Sequence, residues 1–186
     1  LGGSATVDGG FGMARALGFH FYAADGAEIL DFRSVDKLER LVFPDVRLTS
    51  VRVYTDVKSP LTGPSGSAQV FAPQKGAAGD EVVQIEMRLE KMRAALKAAG
   101  GKDVNEIAGS GAAGGLAAPL VAHPAWDVQI HSGIGFFLTL AQMGELIASW
   151  RPNLVITGEG CTDRSTLAGK VVQGLFELTQ KFGVPL

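Results

Sequence analysis

An α/β fold is the architecture this sequence predicts. Two observations point to it. Apolar residues recur at strand-like spacing in some segments and at helix-like spacing in others, in alternation along the chain. Glycine, at 25 of 186 residues, gathers at 2–12, 63–79, 100–115 and 158–169, which leaves periodic segments between flexible loops. No internal repeat is present.

The elements follow in order. Residues 6–17 read as a helix fed by the turn Gly2-Gly3-Ser4, with Ser4 or Thr6 as its cap. Residues 19–23 read as a short strand, followed by the turn Asp25-Gly26. Residues 35–41 read as a short helix. In 50–55, Val51, Val53 and Thr55 alternate with Arg52 and Tyr54, the pattern of a half-buried strand. The strongest signal is 80–99, where Val82, Ile85, Leu89, Met92 and Leu96 share one helical face. Asp80 and Glu81 stand at the positive end of its dipole, and Gly100-Gly101 stops it. Residues 114–121 suggest a helix of small side chains, 133–150 one or two amphipathic helices, 154–157 an apolar strand and 167–182 a closing helix. A parallel or mixed sheet with helices on its faces is the expected arrangement.

Composition narrows the function. Hydrophobic residues make up 46% and charged residues 19% of the chain, enough to pack a core. The net charge of −2 is spread evenly, so no basic stripe suited to nucleic acid is expected. No apolar run approaches a membrane span, and no signal-peptide order is visible. The single cysteine, Cys161, excludes an intrachain disulfide and fits a cytoplasmic protein. The chain opens inside a loop without methionine and stops where a strand is expected to start, which reads as an internal piece of a longer protein.

Five loops could carry chemistry. In Gly2-Gly3-Ser4-Ala5-Thr6-Val7-Asp8-Gly9-Gly10, backbone N–H groups and two hydroxyls can surround an anion, and Asp8 can hold Mg²⁺ or accept a hydroxyl proton. A capped helix start explains the same residues equally well. Asp56 stands at the end of a predicted strand, the edge where open α/β sheets bind ligands; a turn acid is the plainer reading. Lys75, in Phe71-Ala72-Pro73-Gln74-Lys75-Gly76, is a candidate charge neutraliser for phosphate or carboxylate, against the plainer reading of a solvated turn lysine. Gly109 to Gly114 match G-x-G-x-x-G, but no buried strand precedes them and Gln129 stands where an acid is required. A tight turn into a closely packed helix therefore fits better than nicotinamide binding, with phosphate contact through Gly111 and Gly114 left open. Finally, Glu159 and Asp163 flank Gly160-Cys161-Thr162 after a predicted strand and can share a metal ion. His20, His123 and His131 lack ligand spacing and read as structural.

These loops, in this order, resemble those of the bacterial glycerate kinase family (type 1). The resemblance lies in G-G-S-A-T-x-D-G-G at Gly2 to Gly10, in Asp56, Pro60, Leu61, Gly63, Pro64, Gly66 and Ala68, and in Phe71, Pro73, Gln74, Lys75 and Gly76. It continues in the turn Gly109 to Gly115 and in T-G-E-G-x-x-D at Thr157 to Asp163, followed by Gly169-Lys170. Val7, Ser59, Ala72 and Cys161 depart from the family pattern, and Cys161 stands where an arginine is usual.

The resemblance covers essentially the whole chain. It implies transfer of the γ-phosphate of ATP to D-glycerate with Mg²⁺, 2-phosphoglycerate being the favoured product, with ATP and glycerate as small-molecule partners. Gly2, Gly3, Ser4, Thr6, Asp56, Gly111 and Gly114 would bind substrate or phosphate. Asp8, Asp163 and Lys75 would be catalytic, and Glu159 with Asp163 would hold the metal. The implied architecture is a flavodoxin-like domain with a second α/β domain inserted. Residues 1–152 would hold most of the insertion, and 153–186 would begin the return. No nucleic acid or membrane partner is expected, and a homodimer is open. The alternative is a non-catalytic or degenerate kinase module.

Overall fold

The computed structural model of the chain describes residues 1–158 and 171–186. The α/β class holds: helices alternate with short strands in two small sheets. The helices are α1 (Phe11–Ala16), α2 (Ser67–Phe71), α3 (Asp80–Ala98), α4 (Ala112–Gly115), α5 (Ala118–Ala122), α6 (Gly133–Leu140), α7 (Met143–Trp150) and α8 (Val171–Lys181). The strands are β1 (His20–Ala23), β2 (Leu38–Val42), β3 (Val51–Tyr54) and β4 (Val128–His131).

The chain forms two compact units, Leu1–Val53 with Lys58–Gln129 and Tyr54–Val57 with Ile130–Leu186. In the first, β1 and β2 pair antiparallel with Phe21 opposite Leu41 and an irregularity between Tyr22 and Ala23. α3 packs on β2 and on α2. Its inner face supplies Leu89, Met92 and Leu96, fully buried together with Phe19, Phe21, Val35, Leu38, Leu61 and Val104. This is the face the sequence periodicity marked. The second unit is built from α6, α7 and α8, with α6 in contact with both others.

β3 and β4 form the second pair. The Val51 N–H donates to the Asp127 carbonyl and the Thr55 N–H to the His131 carbonyl, both at 2.9 Å. The two bonds advance in step along both strands, so the pair is parallel. In place of the expected single sheet, the described residues form two two-stranded sheets, one antiparallel and one parallel.

Four local readings need correction. The helix expected from residue 6 starts at Phe11, because Gly9 and Gly10 take φ of +62° and +73°, which no right-handed helix accommodates. The helix expected at 35–41 is a 3₁₀ turn (Phe32–Lys37) running into β2; Val35, Leu38 and Leu41, three apart, gave it a helical pattern. The helix expected at 114–121 forms only from Ala118, as α5, because Gly114 and Gly115 take φ of +72° and +87°. Among the described residues, the strand expected at 154–157 is tied only by the bond from the Val155 N–H to the Pro185 carbonyl, and it exposes Leu154 and Ile156. No described helix is long and apolar enough to cross a membrane.

Candidate functional site

The first unit brings together two sequence-predicted groups that lie far apart in the chain. Lys75 sits in the 3₁₀ turn Pro73–Lys75 after α2. Its Nζ donates to Ser4 Oγ and to the Thr6 carbonyl, each at 2.7 Å. Burial lowers the Lys75 pKa, and the negative charge of Asp8 pushes it back up. Asp8 itself is half-buried. Its Oδ1 accepts from the Gly10 N–H at 3.1 Å and its Oδ2 from the Gly12 N–H at 3.3 Å. Gly10 is the N-cap of α1, and Asp8, not Ser4 or Thr6, takes an N–H of its first turn. The Lys75 ammonium thus meets the Ser4 hydroxyl on the glycine-rich loop that also carries Asp8, with Gly2 and Gly3 exposed and open space around both.

Two further segments hold this loop in place. Gly114 is buried with φ +72°, and a β-carbon there would collide with the Thr6 carbonyl and crowd Val7 Cα at 2.9 Å. The Gly114 carbonyl accepts from the Gly9 N–H at 2.9 Å. Gly111 packs against the Pro60 carbonyl, and its own N–H is engaged by the Ser59 carbonyl at 3.0 Å. The turn 109–115 is therefore wedged between segment 59–63 on one side and segment 6–9 on the other. This is the tight, closely packed turn that its small residues suggested.

Segment 59–63 is in turn tied to α3. The Asn105 amide donates to Thr62 Oγ1 at 2.8 Å and accepts from the Thr62 N–H at 3.2 Å. Glu86 Oε1 accepts from the Gly63 N–H at 2.5 Å. Burial raises the Glu86 pKa, opposed by that bond and assisted by the charge of Glu90. Behind Asn105, Asp103 receives Arg93 Nε and Nη2, both at 2.8 Å, and Lys97 Nζ at 2.9 Å. Bonds from Arg93 and then Lys97 hold the Asp103 carboxyl well below the usual carboxylate range. The sequence reading missed Asn105, Glu86, Arg93 and Asp103. Each is one polar residue among many, and Thr62 and Asn105 become partners only when the chain folds.

Asp56 belongs to the second unit, where it serves a helix start. Its Oδ1 accepts from Ser132 Oγ and from the Ile134 N–H, each at 3.0 Å, at the beginning of α6. Ser132 Oγ accepts from the Gly135 N–H at 3.1 Å. A carboxylate at this position complements the helix dipole. Glu159, Cys161 and Asp163 lie outside the described residues. Among the described residues no three His, Cys, Asp or Glu side chains gather to hold a metal. Mg²⁺ needs no such cage, because it is commonly held by one or two carboxylates together with substrate phosphates. His123 is structural: it stacks on Trp126 at 4.0 Å and accepts from the Ala125 N–H through Nδ1.

Comparison with known proteins places the chain among relatives. The sequence pattern of the Glycerate kinase family matches residues 1–186. A Glycerate 2-kinase of Escherichia coli K12 is 36% identical over the whole chain, which covers 49% of that protein. A Glycerate kinase of Halalkalibacterium halodurans is 35% identical, again over all of this chain and 49% of that one. A crystal structure from Salmonella typhimurium LT2, provisionally designated glycerate kinase 2, superposes with a TM-score of 0.75 at 34% identity. That match covers 99% of this chain and 49% of the other. The chain spans about half the length of the curated relatives it matches.

Proposed function

Because the chain belongs to the glycerate kinase family, we propose that the protein carrying it transfers the γ-phosphoryl group of ATP to the 2-hydroxyl of D-glycerate, giving 2-phosphoglycerate and ADP. The substrate hydroxyl oxygen forms the new P–O bond. The bond from the γ-phosphorus to the β,γ-bridging oxygen breaks, its electron pair leaves with ADP, and the hydroxyl proton passes to a carboxylate. Such a reaction is accelerated mainly by positioning and by stabilising charge.

The observation that carries the reading is the Lys75 ammonium bound to Ser4 and Thr6 with Asp8 acting on its charge. In this reading Gly2, Gly3, Ser4 and Thr6 line an anion site and Lys75 supplies its positive charge. Asp8 orients the glycerate hydroxyl and takes its proton. Glu159 with Asp163 would hold Mg²⁺, which when bound would neutralise phosphate charge. The choice of the 2-hydroxyl is supported by the name of the Escherichia coli relative. We read residues 1–152 as most of an inserted domain and 153–186 as the beginning of the return to the other; the first unit, which ends at Gln129, lies within the former. We place the protein in the cytoplasm, in keeping with its single cysteine.

The test is Asp8→Asn in the protein as its gene encodes it. Loss of a general base lowers kcat by about 10²- to 10⁴-fold. Unchanged turnover would remove Asp8 from the reaction.

A further inference from the structure

Lys75 and Ser4 form a pair whose hydrogen-bond directions are dictated by chemistry. An ammonium only donates, so in the 2.7 Å contact Ser4 Oγ is the acceptor. The one hydroxyl proton of Ser4 is then left for another acceptor, and no described residue takes it. A second N–H of Lys75 goes to the Thr6 carbonyl at 2.7 Å, which fixes Nζ from a second direction. Gly114 backs that carbonyl closely, so the ammonium has a rigid seat and the serine hydroxyl a set orientation.

The charge balance indicates what the hydroxyl meets. Lys75 contributes one positive charge and Asp8 acts on it with one negative charge. One ammonium seated on Ser4 matches a single carboxylate, whereas a polyphosphate carries several negative charges. Open space around Gly2 and Gly3 leaves the approach to Ser4 clear.

Building on the kinase reading above, we infer that Ser4 is the specificity-determining donor that binds the carboxylate of the hydroxy-acid substrate, and that Lys75 is the positioning residue that turns the Ser4 hydroxyl toward it. The site thereby tells the acid from the uncharged triol of the same carbon skeleton, because a hydroxyl donor gains more from a charged acceptor than from a neutral one.

The experiment is steady-state kinetics of the full-length protein with D-glycerate or glycerol as acceptor and with ATP varied in parallel. Wild type is compared with Ser4→Ala, Ser4→Thr, Lys75→Met and Lys75→Arg. Ser4→Ala is expected to raise KM for D-glycerate roughly ten- to a hundredfold, the span of one hydrogen bond to a charged group, and to shrink the preference over glycerol by the same factor. KM for ATP stays unchanged, and Ser4→Thr restores the wild-type values. Lys75→Met reproduces the rise in KM for D-glycerate, and Lys75→Arg, which keeps its donors, recovers part of it.

A rise in KM for ATP in place of KM for D-glycerate assigns the donor to a phosphate and overturns the inference, as does an unchanged KM for both. Should Ser4→Ala unfold, the two Lys75 variants report on the same bond. Absence of glycerate phosphorylation by the wild type would instead refute the kinase reading. Calorimetric binding of D-glycerate to wild type and to Ser4→Ala would then decide the inference alone, equal affinities overturning it.

Discussion

Arg93→Met tests how segment 59–63 is anchored behind the candidate site. Arg93 grips Asp103 with two bonds of 2.8 Å, and the Asp103 side chain is only 7% exposed while that of Arg93 is 29% exposed. Removing one partner of a buried ion pair costs about 3–5 kcal/mol, because the other charge is left desolvated and alone. Asp103 would keep Lys97 Nζ at 2.9 Å and the Asn105 N–H at 3.2 Å. With those survivors and the part-exposure of Arg93, the expected loss is about 2–3 kcal/mol, well above the ~0–1 kcal/mol of a surface pair.

The pH dependence has a definite sign. Asp103 has a folded pKa below its unfolded one, so its contribution is fully present above the ordinary aspartate value of about 3.9 and is lost as pH falls through the folded value. Urea denaturation of the full-length protein at several pH values measures this. The gap between wild type and Arg93→Met should stay constant from about pH 8 to 5 and close only below about pH 4. A gap under about 0.5 kcal/mol at neutral pH, the size of a surface effect, would refute the clamp.

Three further outcomes follow from the same geometry. Gly114→Ala forces a β-carbon onto the Thr6 carbonyl at a positive-φ position; it should raise KM for D-glycerate along with a destabilisation of about 1–3 kcal/mol, read by kinetics and melting together. Glu86 has a folded pKa raised by burial, so stability should fall as pH rises above the ordinary glutamate value of about 4.3; Glu86→Gln should flatten that slope in denaturation experiments. Lys75 titrates below an ordinary lysine because of burial; kcat/KM for D-glycerate should therefore decline on the alkaline side below about pH 10.4, and Lys75→Arg should abolish that limb.

The elements whose signals are local were legible in the sequence. The α3 stripe of Leu89, Met92 and Leu96 became the buried face, and β1 and β3 fell within a residue of their expected bounds. Glycine and hydroxyl context marked the Ser4–Asp8 loop and Lys75 separately, but not that the two meet. That contact spans |i−j| of 71 and arises only once α2 and its following turn are packed. The misreadings have the same origin. Spacing of three between Val35, Leu38 and Leu41 fits a helix as well as a turn entering a strand, and pairing with β1 decides the outcome. The apolar run at 154–157 lacks a ladder to pair with in the described structure, so propensity alone leaves it irregular. Asp56 stood between a ligand-edge acid and a turn acid; in the described structure both its oxygens are engaged at the start of α6.

The central claim is phosphoryl transfer to a small hydroxy acid, and ³¹P NMR of the full-length protein with ATP, Mg²⁺ and D-glycerate tests it most directly. The account predicts that the γ-phosphate resonance is replaced by one phosphomonoester, coupled to the proton on carbon 2, with ADP in equal amount. An ATP spectrum that does not change, or that yields only inorganic phosphate whether or not glycerate is present, would contradict it.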